Sequence, residues 1–200
     1  MNASFWDERY SADAFAYGRE ANEFLRAEAT RIPPGRVLCL AEGEGRNAVY
    51  LARKGYAVTA VDFSLEGLRK AERLAKEVGV DIRTVQADLA TYELERDAYS
   101  GIVSIFAHVA PKVRQQVHGS LAGALQRGGV FILEAYTPAQ VTRNTGGPRD
   151  PAWCMTLEGL KAELGPLELV IGREVDREIH EGTFHMGLGS TVQLVATRVR

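Results

Sequence analysis

Cysteine is scarce: Cys39 and Cys154 are the only two in 200 residues, so no disulfide framework supports the fold. A chain of this length should bury roughly 70% of the surface its unfolded form exposes and needs none. No pair of histidines or cysteines has metal-ligand spacing. No apolar run approaches the ~18 residues of a membrane span. The start, Met1 to Tyr10, lacks the basic head and apolar core of a signal peptide, so a cytoplasmic protein without membrane contact is expected. A basic excess is missing too. Twenty-four Lys and Arg against 26 Asp and Glu leave a net charge of −2, which argues against nucleic acid as a partner. Repeats, low-complexity tracts and linkers are absent, so residues 1–200 read as one domain, at about 150 residues per domain.

What is present is alternation. Residues 21–32 have helical spacing and end at Pro33-Pro34-Gly35, making residues 1–35 an N-terminal helical cap. Short apolar strands follow at 37–40, 57–61, 82–86, 102–106 and 130–133. Helices fall between them at 46–54, at 65–78 behind a Ser64 cap, and at 113–125. Such alternation predicts an α/β fold with a parallel sheet covered on both faces. Residues 137–155 then break the pattern, and a loop that long reads as a lid. A helix at 156–164 and strands at 167–179 and 191–197 complete the chain. The gap between these last strands, Glu181 to Gly189, is shorter than a parallel crossover of ~10 to 12 residues, so the final strand should run antiparallel.

The chemistry sits early. Gly43-Glu44-Gly45-Arg46-Asn47-Ala48 fits G-x-G-x-x-G/A after a strand and at the opening of a helix. Asp62, 19 positions beyond Gly43 at the end of the second strand, can accept both hydroxyls of a ribose. Asp88 ends the third strand at the same edge, where it can meet an adenine amino group or simply cap a turn. These features point to a nucleoside-containing cofactor. A nicotinamide dinucleotide stays open, although the antiparallel hairpin weighs against it. His108, just past the fourth strand, is a candidate base or substrate contact, with a pocket-wall histidine as the plain alternative. His185 is a second candidate; His118 and His180 read as helix-surface and strand-surface residues. Cys154 reads as lid packing.

Four segments carry a family resemblance: Val37-Leu-Cys-Leu-Ala-Glu-Gly-Glu-Gly45, Val58-Thr-Ala-Val-Asp62-Phe-Ser, Gln86-Ala-Asp-Leu89 and Gly128-Gly-Val-Phe-Ile-Leu133. They resemble the successive motifs of class I S-adenosylmethionine-dependent methyltransferases. Trp6-Asp-Glu-Arg-Tyr10, Asn144-Thr-Gly-Gly-Pro148 and Glu181-Gly-Thr-Phe-His-Met-Gly187 are similar, more narrowly, to bacterial tellurite-resistance and thiopurine-type small-molecule methyltransferases. The resemblance implies a Rossmann-like three-layer sandwich of seven strands, ordered 3214576, with strand 7 antiparallel. It implies S-adenosyl-L-methionine as cofactor and a small-molecule nucleophile as methyl acceptor. Residues 41–45, from Ala41 through Glu42 and Gly43 to Gly45, would face the methionine part, with Asn47 beside them. Asp62 would hold the ribose, Phe63 the adenine face, Asp88 the adenine amino group and Leu89 the same pocket. Read from the residues themselves, Tyr10, Phe15 and Tyr17 either close over the sulfonium or form a hydrophobic clasp of the N-terminus, and Arg9 meets the cofactor carboxylate or a surface partner. Two departures stand out. The family has an acid where Cys39 stands and a glycine where Ala41 stands, so Glu42 or Glu44 would take over the ammonium contact. A nicotinamide-dependent oxidoreductase and a non-catalytic S-adenosylmethionine-binding protein remain as alternatives. No residue selects among oxyanions, thiols and other soft acceptors, and none indicates an oligomeric state.

Overall fold

The computed structural model describes residues 3–199. In chain order the elements are α1 (Ala3–Tyr10), α2 (Glu23–Glu28), β1 (Arg36–Leu40), α3 (Arg46–Arg53), β2 (Ala57–Asp62), α4 (Leu65–Glu77), β3 (Arg83–Gln86) and β4 (Tyr99–Ile105). α5 (Pro111–Ala124), β5 (Leu125–Tyr136), α6 (Leu157–Glu163), β6 (Glu168–His180) and β7 (Met186–Thr197) follow. The strands form one sheet ordered β3-β2-β1-β4-β5-β7-β6. Its first four pairings are parallel, and β7 runs antiparallel to both β5 and β6. The class I order and the antiparallel last strand expected from the sequence are both present.

Period-two burial builds the core on both faces of the sheet. Leu38 and Leu40 of β1 join Ile102, Phe131 and Leu133 beneath α5 and α6, through Leu121 and Leu160. Val37 and Cys39 point the other way, toward Leu25 of α2, Leu51 of α3 and Leu68 of α4. Parallel register aligns the carboxyl ends: Leu40 pairs with Val61 and with Ser104, and Ile105 with Glu134. The residues just past those ends therefore share one edge, at the point where strand order reverses. In open α/β sheets that is where ligands bind.

Local chemistry explains most boundaries. Ser64 Oγ accepts from Gly67 N, and Thr156 Oγ1 from Gly159 N, so both helices start where the sequence places a cap. The helix expected over 21–32 is shorter. Asn22 caps α2 by accepting from Leu25 N, and Ala29–Arg31 tighten into a 3₁₀ turn. α1 is absent from the sequence reading. An eight-residue helix is marginal by itself, and this one exists because it packs on α4. His118, expected on a helix surface, is 3% exposed and bonds Glu163 Oε2 through Nδ1 at 2.7 Å, because the α5 face that carries it packs against α6. His180 is exposed on β6, as expected.

Candidate functional site

One cleft of about 1290 Å³ opens at the carboxyl edge of the sheet. Single-ligand sites hold ~300 to 1,000 Å³, so there is room for two molecules. Its floor is made of Ala41, Glu42, Asp62, Phe63 and Phe106; Trp6, Arg9 and Tyr10 of α1 wall one side, and the loop at 144–150 with Phe184 and His185 the other.

Strain marks the floor. Ala41 and Phe106, past the ends of β1 and β4, have φ of +49° and +52°. The left-handed region is costly for side chains with a Cβ and is found at functional turns. A family glycine at position 41 would relieve it without changing the turn.

The two motif glycines work differently from expectation. Neither lines the cleft. A Cβ on Gly43 would come within 2.6 Å of Tyr10 Oη, and one on Gly45 within 2.4 Å of Ala71 Cβ. Gly43 thus admits the α1 tyrosine and Gly45 lets α3 press on α4. Asn47 lines the cleft, but its Oδ1 accepts from Asn22 N at 3.0 Å and so serves the fold.

Glu42 explains the missing acid. Its Oε1 accepts from Asn47 N at 2.9 Å and Ala48 N at 2.8 Å, stopping the amino end of α3, and it hydrogen-bonds the Cys39 thiol. Glu44 is committed elsewhere, to Lys70 Nζ at 2.6 Å and Tyr17 N at 3.3 Å. Lys70 also donates to the Ala12 and Ala14 carbonyls at 2.7 Å each, which fastens the segment after α1. Both glutamates line the cleft, but the Glu44 carboxylate is taken up by its ion pair with Lys70. Glu42 also weighs against a dinucleotide. A pyrophosphate needs free N–H groups at this helix terminus, and the Glu42 carboxylate already occupies those of Asn47 and Ala48.

Burial pushes the Glu42 carboxyl up to about 7 and Asp62 up to about 6. A carboxyl raised above its unfolded value stabilises the folded state at low pH, and that contribution is lost as pH rises through the folded value. Glu42→Gln keeps the Oε1 acceptor and removes the charge. It should therefore raise stability by on the order of 2 kcal/mol at about pH 8, with the gain vanishing by about pH 5. Urea midpoints at the two pH values check this.

Asp62 Oδ2 accepts from Gly43 N at 2.7 Å and Oδ1 from Ser64 N at 2.8 Å. The Phe63 amide is a third backbone donor to this carboxylate, which leaves it an acceptor direction for a ribose hydroxyl. Phe63, Leu89 and exposed Asp88 continue the same wall. Asp88 Oδ1 already accepts from Ala90 N at 2.8 Å, so it caps a turn as well. The Ala87 amide is spent on the Asp62 carbonyl and cannot serve a nucleobase.

His108 lines the cleft without a free nitrogen. Its Nδ1 meets the Trp153 carbonyl at 3.0 Å and its Nε2 accepts from Tyr136 N at 3.2 Å. Burial lowers its pKa to about 4. The expectation of a base at His108 is therefore corrected: this ring ties the 3₁₀ turn Pro151–Trp153 to the end of β5. Its neighbour Cys154 is buried, with its thiol pushed up to about 11, in keeping with packing. Arg9 is no surface ion pair, since its guanidinium stacks on Phe184 at 4.0 Å. Tyr17 and His185 lie ring to ring at 4.6 Å.

Sequence reasoning missed a buried polar network behind the cleft. Glu134, wholly buried, accepts from Arg177 through Nε at 2.8 Å and Nη2 at 2.7 Å, from Gln193 at 2.7 Å and from Asn22 at 2.5 Å. Glu181 pairs with Arg46 at 2.5 Å and Arg177 at 3.0 Å and accepts from Asn22 at 2.9 Å. The only prior signal was a glutamate inside an apolar strand, at position 134.

Among the described residues no group of His, Cys, Asp or Glu could hold a metal, and no helix is long and apolar enough to cross a membrane. Residues 37–129 match a family model described as a methyltransferase domain. No curated protein matches the sequence. In fold the chain is similar to TehB from Haemophilus influenzae, at 19% identity and a TM-score of 0.71, over 98% of this chain and 66% of that one. It is similar to an S-adenosylmethionine-dependent methyltransferase from Clostridium acetobutylicum ATCC 824, at 16% and 0.67, over 99% and 98%. A structure solved on the conversion of a disulfide bond into a thioacetal group during echinomycin biosynthesis gives 16% and 0.75, over 98% and 92%. Residues 37–129 thus match a methyltransferase domain, and the chain as a whole has the fold of these structures, an S-adenosylmethionine-dependent methyltransferase among them.

Proposed function

We propose that this protein is an S-adenosylmethionine-dependent enzyme that methylates a small molecule in the cytoplasm. The observation that carries the small-molecule reading is the cleft itself: it has volume for a cofactor and a second compound, and α1, the 144–150 loop and the β6–β7 loop wall it in. A polymer needs an open groove, and a nucleic acid a basic one; the chain carries a net charge of −2.

The cofactor supplies a methyl group activated on a positively charged sulfur. The chain's own residues position and shield. Asp62 receives the ribose hydroxyls, Phe63 and Leu89 flank the adenine, and Asp88 accepts from its amino group. Glu42 faces the ammonium and Arg9 the carboxylate. Tyr10, Tyr17 and Phe106 surround the sulfonium with π faces, each worth ~0.5 to 2 kcal/mol toward a cation, and exclude water. Positioning of this kind supplies most of the acceleration when the leaving group is already good.

The test is S-adenosylhomocysteine formation, measured by mass spectrometry over a panel of small thiols, amines, phenols and oxyanions, with tRNA and protein as comparisons. Product with at least one small acceptor and with neither polymer is expected. Product only with a polymer overturns the reading.

A further inference from the structure

Two of the backbone amides that hold Asp62 lie against α1. Ser64 N donates to Asp62 Oδ1 at 2.8 Å, and the Ser64 hydroxyl in turn donates to Asp7 Oδ1 at 2.6 Å. Gly43 N donates to Asp62 Oδ2 at 2.7 Å, and a Cβ on Gly43 would come within 2.6 Å of Tyr10 Oη. One helix thus reaches both oxygens of the carboxylate, each through a single intervening residue. Tyr10 is buried, and a Cβ on Gly67 of α4 would stand 2.9 Å from its Cδ2, so its ring fills a slot that two glycines leave open.

Asp7 does more than meet a hydroxyl. Its Oδ1 also accepts from Glu66 N at 3.3 Å, while Ser64 Oγ accepts from Gly67 N at 3.0 Å. Asp7 and Ser64 together cap α4, and an acid brought in from another helix suits the positive end of a 13-residue helix. A serine hydroxyl has one hydrogen to give. Given to Asp7, it ties the corner between β2 and α4, and with it the amide that holds Asp62 Oδ1, to α1. The Asp62 carboxylate is also coupled electrostatically to Asp7 and Tyr10 of α1 and to Glu42 past β1. Arg9 of α1 stacks on Phe184, Arg46 of α3 pairs with Glu181, and Lys70 of α4 pairs with Glu44.

Resting on the reading of Asp62 as the ribose contact, we propose that Asp7 is a positioning residue: through Ser64 it sets the Asp62 carboxylate for the ribose, so that the seating of α1 and the binding of the cofactor are coupled. Asp7 is not among the residues that line the cleft, and neither is Ser64. Any effect of Asp7 on binding therefore travels through Ser64 and Asp62, or through the seating of Tyr10 beside Gly43. The coupling is reciprocal: whatever factor a seated α1 adds to cofactor affinity, bound cofactor adds to the seating of α1.

The experiment is calorimetry with S-adenosylhomocysteine on the full chain, each variant first shown folded by circular dichroism. At a pH where Asp62 is charged, Asp7→Ala should bind about three- to tenfold more weakly than the wild type. Asp7→Asn, which keeps an acceptor for the Ser64 hydroxyl, should recover most of that loss. In an Asp62→Asn background the further cost of Asp7→Ala should shrink to under about twofold, whereas in Asp88→Ala it should keep its full size, because Asp88 bonds Ala90 and shares no partner with Asp7. Asp7→Asn gives a second signature, which decides alone if Asp7→Ala does not fold. With the neighbouring negative charge gone, the Asp62 carboxyl takes up its proton at lower pH, so this variant should hold its affinity further below about pH 6 than the wild type does. Wild-type affinity in Asp7→Ala, a loss of equal size in every background, no recovery in Asp7→Asn, or an unmoved pH profile overturns the proposal. Full affinity in Asp62→Asn would instead overturn the ribose reading beneath it, and a wild type that binds no S-adenosylhomocysteine the methyltransferase reading itself; with either, the proposal falls too.

Discussion

Arg177→Met should destabilise the protein by about 3–5 kcal/mol and lower Tm by roughly 10 °C. The guanidinium grips Glu134 with two nitrogens and Glu181 with one of them. Both carboxylates are buried, at 0% and 7% exposure. Methionine fills much of the volume and leaves both charges short of a partner, which is the costly half of a buried ion pair. Arg19→Met gives the comparison. Its pair with Glu77 is about half exposed, and the loss there should stay under ~1 kcal/mol. Chemical denaturation of the two variants checks this: equal losses would mean that the network contributes no more than a surface pair.

Asp62→Ala should weaken binding of S-adenosylmethionine and S-adenosylhomocysteine by about ten- to hundredfold, the ~1.5 to 3 kcal/mol of a charge-assisted hydrogen-bond pair. The variant also strips Gly43 N and Ser64 N of their acceptor, so calorimetry is run at a temperature where circular dichroism shows it folded. Asp88→Ala should lose less, because Asp88 is exposed and already bonded to Ala90. Wild-type affinity should itself decline as pH falls below about 6, since the Asp62 carboxyl, raised to about 6 by burial, then takes up a proton and loses an acceptor position. Full affinity in Asp62→Ala would remove this residue from the cofactor site.

Much of this was legible before any coordinates. Strand, glycine turn, helix, strand and Asp62 follow one another so closely in sequence that local rules suffice, and the short 181–189 segment favours a hairpin. The rest depends on contacts between distant residues. α1 forms on the surface of α4, so its eight residues carry no sufficient signal of their own. The strain at Phe106 has no signature in residue type. Nor can a sequence say which histidine has a nitrogen to spare. His108 sits at the expected edge, yet a backbone carbonyl and a backbone amide engage both its nitrogens, while His185 arrives from a hairpin 77 positions later with one unpaired. Sequence does not choose between Glu42 and Glu44 for the same reason: the difference lies in Lys70, a residue in another helix.

The hydrogen bond from Asn22 to Glu181 joins positions 159 apart. Contacts of such separation carry a large loop-closure cost and form after the local ones have ordered the chain. During synthesis the sheet from β1 to β5 can assemble while the hairpin is still inside the ribosome, with Glu134 and Arg46 waiting for Arg177 and Glu181. The cleft wall bearing His185 is consequently the last part of the molecule to close. A nascent chain stalled before residue 181 would expose the unpaired edge of β5 and the buried acid at its end, and would be a target for chaperones or proteases before it had any capacity to hold a ligand.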